Sequence, residues 1–451
     1  MTTALAGAVV EFGAAAIERA AQVEVAALRA LGVREGDAVG WLALNHPRAI
    51  ALLRACQRIG ARYVPLNWRL TASELATIAR HAGLQFLLND DAMAALAGQV
   101  RALVELPQAR APGHEPGDLM LVYSSGTTGE PKAAIHTAAA MQANIAAAID
   151  AQGLNASTRA LAVLPLFHAG GLCIQVLPTL AAGGSVRLQE RFDAGAWLRD
   201  VAAWRPTTSL LVPATMRALI EHADWPRTDL SSLAFVNTGS QIVPRTFIDA
   251  FHARGVPVCQ VYGATETGPV SVVLRPEEAL AHPGKAGRPA LGVEVKLVEG
   301  EVWLRGANVA RGYHLQADAP AFASGWFRSG DLATCDDEGY FEIVGRKSEL
   351  IISGGENIHP AEIENLALAD AAVAEAAVVG LPDARWGEVP VLVLVARAGA
   401  AIDLDRLRAV FDARLARFKH PRRIAVLNAL PKTALGKVRR ALLAEQWAHV
   451  S

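Results

Sequence analysis

The most informative stretch of the sequence is a run of small hydroxylic residues and glycines that ends in a lysine. It reads SSGTTGEPK from Ser124 to Lys132 and directly follows residues 119–123 (LMLVY), an apolar segment of strand length. Glycines let backbone N–H groups approach a ligand, hydroxyl groups add donors, and the lysine supplies positive charge. These properties predict a loop that binds phosphate. The order G-x-x-x-x-G-K-[ST] is absent, so the sequence does not predict the mechanism of P-loop nucleoside triphosphatases.

Further segments carry residue types that suit nucleotide chemistry. Asp331 follows a glycine in WFRSGD and supplies a carboxylate with two acceptor oxygens. Lys437, in PKTALGK, supplies a positive charge after a glycine. The other segments are NTGSQ (237–241), VYGATETG (261–268), GRKSE (345–349) and IISGGENIHP (351–360).

In this order along the chain, the segments resemble the signature motifs of the adenylate-forming (AMP-binding) superfamily. The resemblance runs from Ser124 to Lys437 and is greatest to the branch of acyl-CoA synthetases and acid–CoA ligases. It implies an α/β fold with a large N-terminal domain of stacked α/β subdomains over residues 1–345. It also implies a small, mobile α+β C-terminal domain over residues 346–451, with a hinge near residues 347–348. Many relatives carry Asp or Lys where this sequence has Ser348.

The resemblance also assigns roles to individual residues. The implied catalytic residues are Lys437, which contacts carboxylate and phosphate oxygens, Thr265 on the α-phosphate, Glu266 as the Mg²⁺ ligand, and His168 as the gate of the acyl pocket. Tyr262 stacks on adenine in relatives, and Asp331 and Arg346 lie at the ribose. The implied cofactor-binding residues are Ser124, Ser125, Gly126, Thr127, Thr128, Gly129, Lys132, Gly239, Ser240, Gln241, Tyr262, Gly263, Asp331, Arg346, Gly354 and Gly355.

The implied reaction has two halves and uses ATP, Mg²⁺ and coenzyme A. A carboxylate and ATP first give an acyl-adenylate and pyrophosphate, and a thiol then attacks the acyl carbon to give acyl-CoA and AMP. The substrate is expected to be a monocarboxylic fatty or aromatic acid. Gly170 and Gly171, beside His168, suggest room for a ring or an alkyl chain, and residues 169–174 and 236–240 contain no Arg or Lys for a second carboxylate.

Several alternatives stay open. The first is an o-succinylbenzoate-CoA ligase, because such ligases are also short. The second is a standalone adenylation enzyme that loads a separate carrier protein, since the chain has no G-x-D-S carrier site of its own. Luciferase-like oxidation is a weaker interpretation. A non-enzymatic nucleotide-binding relic is disfavoured because the charged residues of the motifs are retained: Lys132, Glu266, Asp331, Arg346 and Lys437.

Composition narrows the class of protein. The chain has 451 residues, 52% of them hydrophobic, and a net charge of −1, which disfavours disorder and nucleic-acid binding. Four well-separated cysteines, no basic apolar leader and no run of about 18–20 apolar residues predict a cytoplasmic protein without a membrane span. The sequence is compatible with a homodimer and does not determine the oligomeric state.

Local patterns predict the elements that must position the motifs. A helix is expected over residues 47–60, a strand over 61–66, a helix capped by Thr71 and Glu74 that ends at Gly83, and a strand over 84–88. In the small domain we expect a helix from Pro360, strands over 373–379 and 389–395, and a helix over 403–417. The apolar runs 161–167 and 390–395 have the length of core strands. The segments before Gly32 and over 90–118 are short for this family.

Overall fold

A computed structural model describes residues 10–107, 113–124, 131–316, 319–432 and 438–448. The chain divides into two compact units. The first comprises Met1–Gln241, Ala250–Lys296 and Trp303–Ser329, and the second comprises Ile242–Asp249, Leu297–Val302 and Gly330–Ser451. In the described part of the chain, no helix is both long enough and apolar enough to span a lipid bilayer.

Strands and helices alternate along most of the described chain. The strands are β1 (Val10–Gly13), β2 (Ala38–Leu42), β3 (Arg62–Leu66), β4 (Phe86–Asn89), β5 (Asp118–Ser124), β6 (Lys132–Thr137), β7 (Arg159–Ala162), β8 (Ser185–Leu188), β9 (Thr208–Leu211), β10 (Phe235–Gly239), β11 (Val258–Tyr262), β12 (Val272–Val273), β13 (Arg288–Pro289), β14 (Val293–Val298), β15 (Glu301–Gly306), β16 (Phe327–Cys335), β17 (Phe341–Arg346), β18 (Ile351–Ser353), β19 (Glu356–Ile358), β20 (Val373–Asp383), β21 (Gly387–Ala396) and β22 (Arg423–Leu427). The α-helices are α1 (Ala14–Ala30), α2 (Arg48–Ile59), α3 (Ala72–Ala82), α4 (Ala94–Leu103), α5 (Ala138–Gln152), α6 (Leu177–Ala181), α7 (Ala194–Trp204), α8 (Pro213–Ile220), α9 (Arg245–His252), α10 (Pro360–Leu368), α11 (Leu404–Arg414) and α12 (Arg440–Ala448).

The first unit contains two sheets whose central strands are parallel. One sheet has eight strands in the order β1-β8-β7-β9-β10-β11-β12-β13, with antiparallel strands at both edges. The other has five strands in the order β4-β2-β3-β5-β6, and only the β5–β6 pair is antiparallel. Every residue of β2, β3, β9 and β10 is buried, as expected for parallel strands covered on both faces. The predicted α/β class is confirmed.

Local signals placed the early helices correctly. Helix α2 follows Pro47 and ends at Gly60, which has a left-handed φ of 79°. The side chains of Thr71 and Glu74 form the expected capping box at the start of α3, which ends at the left-handed Gly83. Capping depends on residues within a few positions of one another, so it can be recognised without the tertiary fold. In the short segment before Gly32, the described residues form β1 and α1. In the short segment over 90–118, the described residues include α4.

The expected core strand over residues 161–167 is wrong beyond its first two residues, because β7 ends at Ala162. Pro165 has no N–H group and therefore cannot extend a central strand. Beside it, the Asn45 side chain supplies the missing partners: its Nδ2 donates to the Leu164 carbonyl at 3.0 Å, and its Oδ1 accepts from the Leu166 N–H at 2.9 Å.

The second unit contains a five-stranded sheet in which β19, β18, β21 and β20 follow one another and β22 also pairs with β21. The predicted helix from Pro360 and both predicted strands are present, although β20 and β21 are longer than expected and form an antiparallel hairpin. Helix α11 ends at Arg414, a few residues earlier than predicted. Strands β16 and β17 also pair, with Asp331 opposite Arg346. The predicted hinge residues 347–348 lie in a short 3₁₀ helix directly after β17.

Candidate active site

The predicted phosphate loop joins the two strands of a tight antiparallel pair. Ser124, the last residue of β5, lies opposite Lys132, the first residue of β6. Lys132 is half-buried and forms no ion pair with any described residue. The side chain of Ser124 and the whole of Ser125, Gly126, Thr127, Thr128 and Gly129 lie outside the described residues, as does Lys437. Their roles stay predictions.

Two parallel strands, β10 and β11, carry the next two predicted motifs at the same edge of the large sheet. Gly239 ends β10 and lies opposite Val261 on β11, so the residues that follow each strand start side by side. A Cβ atom on Gly239 would overlap the carbonyl oxygen of Val261, which explains the glycine. Ser240 has a left-handed φ of 69° and, like Gln241, is exposed. Both are therefore accessible to a ligand at this edge.

Residues 263–270, the nucleotide turn, follow β11 and the half-buried Tyr262. At Gly263 a Cβ atom would lie 2.5 Å from the carbonyl carbon of Pro269, so the turn closes on itself only with glycine there. Thr265–Thr267 form a short 3₁₀ helix. The Thr267 hydroxyl accepts from the Ala264 N–H at 2.9 Å and thereby fixes the start of this helix. Thr265 and Glu266, two of the predicted catalytic residues, are thus adjacent on a tightly packed turn.

A buried histidine that the sequence analysis missed holds this turn from the side of the phosphate loop. His136 lies on β6, four residues after Lys132, and its Nε2 donates to the Thr265 carbonyl at 2.8 Å. Burial lowers its pKa to about 4, and the hydrogen bond offsets this only partly. Nδ1 is buried and has no hydrogen-bond partner in the described structure, so protonation would leave an N–H group unsatisfied. His136 is a neutral donor at physiological pH. The sequence feature that could have indicated His136 is its position as a polar residue in the otherwise apolar run 133–136.

Glu266 is buried, and its carboxylate is held by a second residue that the sequence analysis missed. The Tyr313 hydroxyl donates to Oε1 of Glu266 at 2.6 Å, and the Ala310 N–H donates to the main-chain carbonyl of Glu266 at 2.7 Å. Tyr313 is positioned by backbone hydrogen bonds between residues 311–314 and β6. No local pattern connects position 313 with position 266, so the sequence alone could not indicate this contact.

The donor set around Glu266 suits magnesium bound together with a nucleotide. No group of three or more His, Cys, Asp or Glu residues that could hold a metal occurs among the described residues. Mg²⁺ commonly binds through one or two carboxylates plus the phosphates of its substrate. A single carboxylate such as Glu266, with a neutral donor on one oxygen, fits that mode.

His168, the predicted gate for the acid, lies within residues 163–176, here called the acid segment, which begins in an irregular stretch and ends in a π-helical turn, Gly170–Val176. The rings of Phe167 and His168 lie 4.6 Å apart, and Trp68 meets Phe167 edge-on at 6.4 Å. Gly171 does not provide room for a substrate, because a Cβ atom there would lie 2.9 Å from the carbonyl carbon of Pro165. A Cβ atom on Gly170 would meet only Ile174, at 3.8 Å, so the expectation of free space is retained for Gly170.

Two arginines outside the predicted motifs lie beside this aromatic cluster. The guanidinium carbons of Arg69 and Arg191 lie 5.1 Å and 4.7 Å from the Trp68 ring centroid, and that of Arg69 is 5.9 Å from Phe167. Burial and the charge of Arg191 lower the pKa of Arg69. Such stacking stabilises a cation at an aromatic face. Neither arginine lies in a predicted motif, so the motif pattern did not indicate them.

In the second unit, the structure brings the two predicted ribose-binding residues together. Asp331 is buried, and its Oδ1 lies 2.8 Å from Nε of Arg346 across the β16–β17 pair. Beside them, Glu301 accepts from the Gly330 N–H at 3.2 Å and from the Lys347 ammonium at 3.1 Å. The ion pair with Arg346 restricts the orientation of the Asp331 carboxylate, and ribose binding by these two residues stays a prediction.

Gly354 and Gly355 form the two-residue turn between β18 and β19. Both have left-handed φ values, 60° and 87°, which is the conformation that favours glycine in such hairpins. The Gly354 N–H donates to the Trp386 carbonyl at 2.7 Å, and a Cβ atom on Gly354 would lie 2.7 Å from the Trp386 ring. Turn geometry and packing account for both glycines, and a contact with CoA stays a prediction.

Comparison with known proteins identifies related sequences over nearly the whole chain. The family described as AMP-binding enzyme matches residues 15–314, and the AMP-binding enzyme C-terminal domain matches residues 362–437. Indoleacetate–CoA ligase of Aromatoleum aromaticum is 40% identical over 453 residues, covering 92% of this chain and 89% of that protein. Feruloyl-CoA synthase of an Amycolatopsis species is 39% identical over 436 residues, covering 91% of this chain and 89% of that protein.

A solved structure is similar in both fold and sequence. The o-succinylbenzoate coenzyme A synthetase of Bacillus subtilis, in complex with ATP and magnesium ion, matches with a TM-score of 0.84 and 31% identity, covering 95% of this chain and 94% of that chain.

Replacing Gly263 by alanine should disrupt the nucleotide turn. The added methyl group would overlap the main chain of Pro269, so we expect the free energy of unfolding to fall by roughly 1–3 kcal/mol and ATP affinity to fall with it. Chemical denaturation and the shift of melting temperature with ATP measure both effects. Gly98→Ala is the matched control: a Cβ on this helical glycine meets no atom within 4 Å, so the substitution should be neutral or slightly stabilising. A Gly263→Ala protein with unchanged stability and ATP affinity would contradict the assignment.

Stability should fall on acidification because His136 is neutral in the fold. Its pKa is about 4 in the folded protein and about 6.5 when unfolded, so between these values the unfolded chain binds more protons. The free energy of unfolding should therefore be unaffected by this group above pH 6.5 and fall by up to about 3 kcal/mol as the pH drops to 4. His136→Gln cannot titrate and retains an N–H donor. Denaturation at several pH values should show a weaker pH dependence in this variant, and an identical dependence would refute the assignment.

Proposed function

Because this chain belongs to the AMP-binding enzyme family and is an AMP-forming acid–CoA ligase, we propose that its substrate is an aromatic monocarboxylic acid. The enzyme uses ATP, Mg²⁺ and CoA. The observation that carries the proposal is the ring cluster of Trp68, Phe167 and His168 at the acid segment. Aromatic side chains favour ring-bearing ligands through edge and offset contacts. The names of two related ligases, for indoleacetate and ferulate, agree with this choice.

In this proposal the first half-reaction needs positioning and charge stabilisation rather than a protein nucleophile. The carboxylate oxygen of the acid bonds to the α-phosphorus, and the bond to pyrophosphate breaks. His136 holds the main-chain carbonyl of Thr265. The Thr265 hydroxyl would donate a hydrogen bond to the α-phosphate. Lys132 and Lys437 would stabilise the negative charge of the reacting groups. Each of these groups acts on charge that develops along the reaction, which is where preorganised donors contribute most.

Glu266 is the proposed magnesium ligand. Bound Mg²⁺ neutralises charge on the phosphates of ATP. The Tyr313 hydroxyl on Oε1 restricts the orientation of the carboxylate, whose other oxygen would bind the metal. The Asp331–Arg346 pair is proposed to bind the ribose, and Tyr262 the adenine.

In the second half-reaction, the CoA thiolate bonds to the acyl carbon and AMP leaves. We propose CoA rather than a carrier protein as the acceptor because the curated relatives named above are CoA ligases. A reducing, cytoplasmic location belongs to the same proposal. It is supported by the four free cysteines Cys56, Cys173, Cys259 and Cys335. A homodimer remains a hypothesis that size measurements in solution would test.

A panel of acids should identify the substrate class. Exchange of labelled pyrophosphate into ATP should be stimulated by arylacetic and arylpropenoic acids at least about tenfold more than by alkanoic acids of equal size, because only the former stack on the ring cluster. Adding CoA, or a phosphopantetheinyl carrier protein, to the same reactions then identifies the acceptor. No exchange with any acid would contradict ligase activity in this chain, and a preference for alkanoic acids would contradict the aromatic proposal.

A second candidate substrate is 2-succinylbenzoate, which has an additional carboxylate. Arg69 and Arg191 favour it, because they place two cations beside Phe167 and Trp68. If this candidate is correct, Arg69→Ala should raise the KM for the dicarboxylic acid while that for arylacetic acids is unchanged. An equal effect on both acids would assign Arg69 to packing alone.

Replacing Lys437 by alanine should separate the two half-reactions. We expect adenylate formation to fall by at least about a hundredfold, since a cation near the reacting phosphate is worth several kcal/mol. Thioester formation from a supplied acyl-adenylate should be largely retained. Lys432→Ala is the matched control, because Lys432 lies in the same segment but pairs with Glu375 at 2.6 Å, and it should affect neither half-reaction strongly. Equal loss of both half-reactions in Lys437→Ala would contradict the proposed role.

A further inference from the structure

A buried asparagine of helix α5 connects the acid segment with the nucleotide turn. Asn144 is fully buried. Its Nδ2 donates to the Cys173 carbonyl at 2.9 Å, and its Oδ1 accepts from the Val270 N–H at 3.0 Å. One uncharged side chain therefore satisfies a main-chain group in each of two segments that lie far apart in the sequence.

The first of these bonds reaches the π-helical turn that follows the predicted acid gate, His168. Cys173 lies in the π-helical turn that follows His168. The N–H of its neighbour Leu172 donates to the His168 carbonyl at 3.1 Å, which connects this turn with the predicted gate. A shift of His168 on acid binding would move the Cys173 carbonyl relative to α5. Because the carbonyl and Nδ2 are already at hydrogen-bond distance, such a shift lengthens the bond unless Asn144 moves as well.

The second bond reaches the end of the nucleotide turn. Val270 is four residues from Glu266, and its carbonyl accepts from Nδ2 of Asn308 at 3.2 Å. The same Asn308 nitrogen donates to the Thr267 carbonyl at 2.7 Å. The side chain of Asn144 also packs against Gly268, where a Cβ atom would lie 2.9 Å from its Oδ1. Close packing on this side leaves Asn144 little freedom to move independently of the turn.

We propose that Asn144 is a positioning residue that couples acid binding to ATP binding. The inference rests on the proposed function, in which the acid segment and the nucleotide turn bind the two substrates. Breaking either bond leaves a buried carbonyl or N–H group without a partner, which is unfavourable. When a ligand holds one segment in place, the other segment is therefore favoured in the arrangement that keeps both hydrogen bonds of Asn144. The coupling is reciprocal, because each ligand changes the affinity for the other by the same factor.

The chain offers two matched controls. Asn45 is a buried amide that bonds residues of the acid segment, Leu164 and Leu166, and the carbonyl of Gln189, but no residue of the nucleotide turn. Asn308 bonds the nucleotide turn and no described residue of the acid segment. Replacing either by leucine removes a buried amide of the same kind while leaving the Asn144 bridge in place.

The first measurement uses nucleotide alone and needs no knowledge of the acid. A non-hydrolysable ATP analogue with Mg²⁺ should slow hydrogen–deuterium exchange of residues 163–176 in the wild-type protein. The slowing should be lost in Asn144→Leu and retained in Asn45→Leu. If Asn144→Leu does not fold, Asn144→Ser serves instead, because a water molecule can occupy the freed volume.

The second measurement is the ratio of the acid dissociation constants without and with the ATP analogue. We expect a ratio of at least about fivefold in the wild-type protein, falling toward one in Asn144→Leu. Asn45→Leu should change the affinity for the acid, and Asn308→Leu should change the affinity for the nucleotide. In both variants the ratio of acid dissociation constants should stay as in the wild-type protein. A ratio of one in the wild-type protein, or an unchanged ratio in the Asn144 variant, would overturn the proposal. Failure of every acid to stimulate pyrophosphate exchange would instead refute the proposed function, and the deuterium-exchange test would still decide the coupling.

Discussion

Buried main-chain groups outside regular secondary structure need hydrogen-bond partners, and the architecture of the candidate site depends on this constraint. The acid segment and the nucleotide turn both contain buried residues that no strand ladder pairs. Three asparagines, Asn45, Asn144 and Asn308, supply the missing donors and acceptors. An amide suits this purpose because a single side chain can donate to one segment and accept from another without carrying charge.

The side chains that support Thr265 and Glu266 in the nucleotide turn are neutral, whereas several of the groups proposed to act on the phosphates are charged. His136 stays uncharged because burial lowers its pKa to about 4, and Tyr313 orients Glu266 with a neutral hydroxyl. A charged residue in these supporting positions would need a buried counter-ion and would alter the field acting on the phosphates. In the proposed mechanism, neutral support therefore leaves the charges that act on the phosphates to Lys132, Lys437, Glu266 and the bound substrates.

Several features could be predicted from the sequence because their causes are local. The caps of α2 and α3, the turn at Gly354–Gly355 and the strand before the phosphate loop all follow from residues within a few positions of one another. The resemblance to a family implied that Asp331 and Arg346 both lie at the ribose, and the structure shows in addition that they form an ion pair. Where the prediction was wrong, as for the strand over residues 161–167, a distant side chain had replaced the strand hydrogen bonds. The expectation for Gly171 was also wrong, because the close approach of the Pro165 backbone, rather than a substrate, explains the missing side chain.

The sequence by itself determined the α/β class, the order of the motifs and the residue types in them. This was sufficient because strand and helix signals are local, and because binding phosphate, a diol and a divalent cation restricts the usable side chains. Only the tertiary structure decided which polar residues hold the motifs in place. The contacts of Asn144 with Val270 and of His136 with Thr265 join positions more than a hundred residues apart, and chain folding rather than any local pattern brings such positions together.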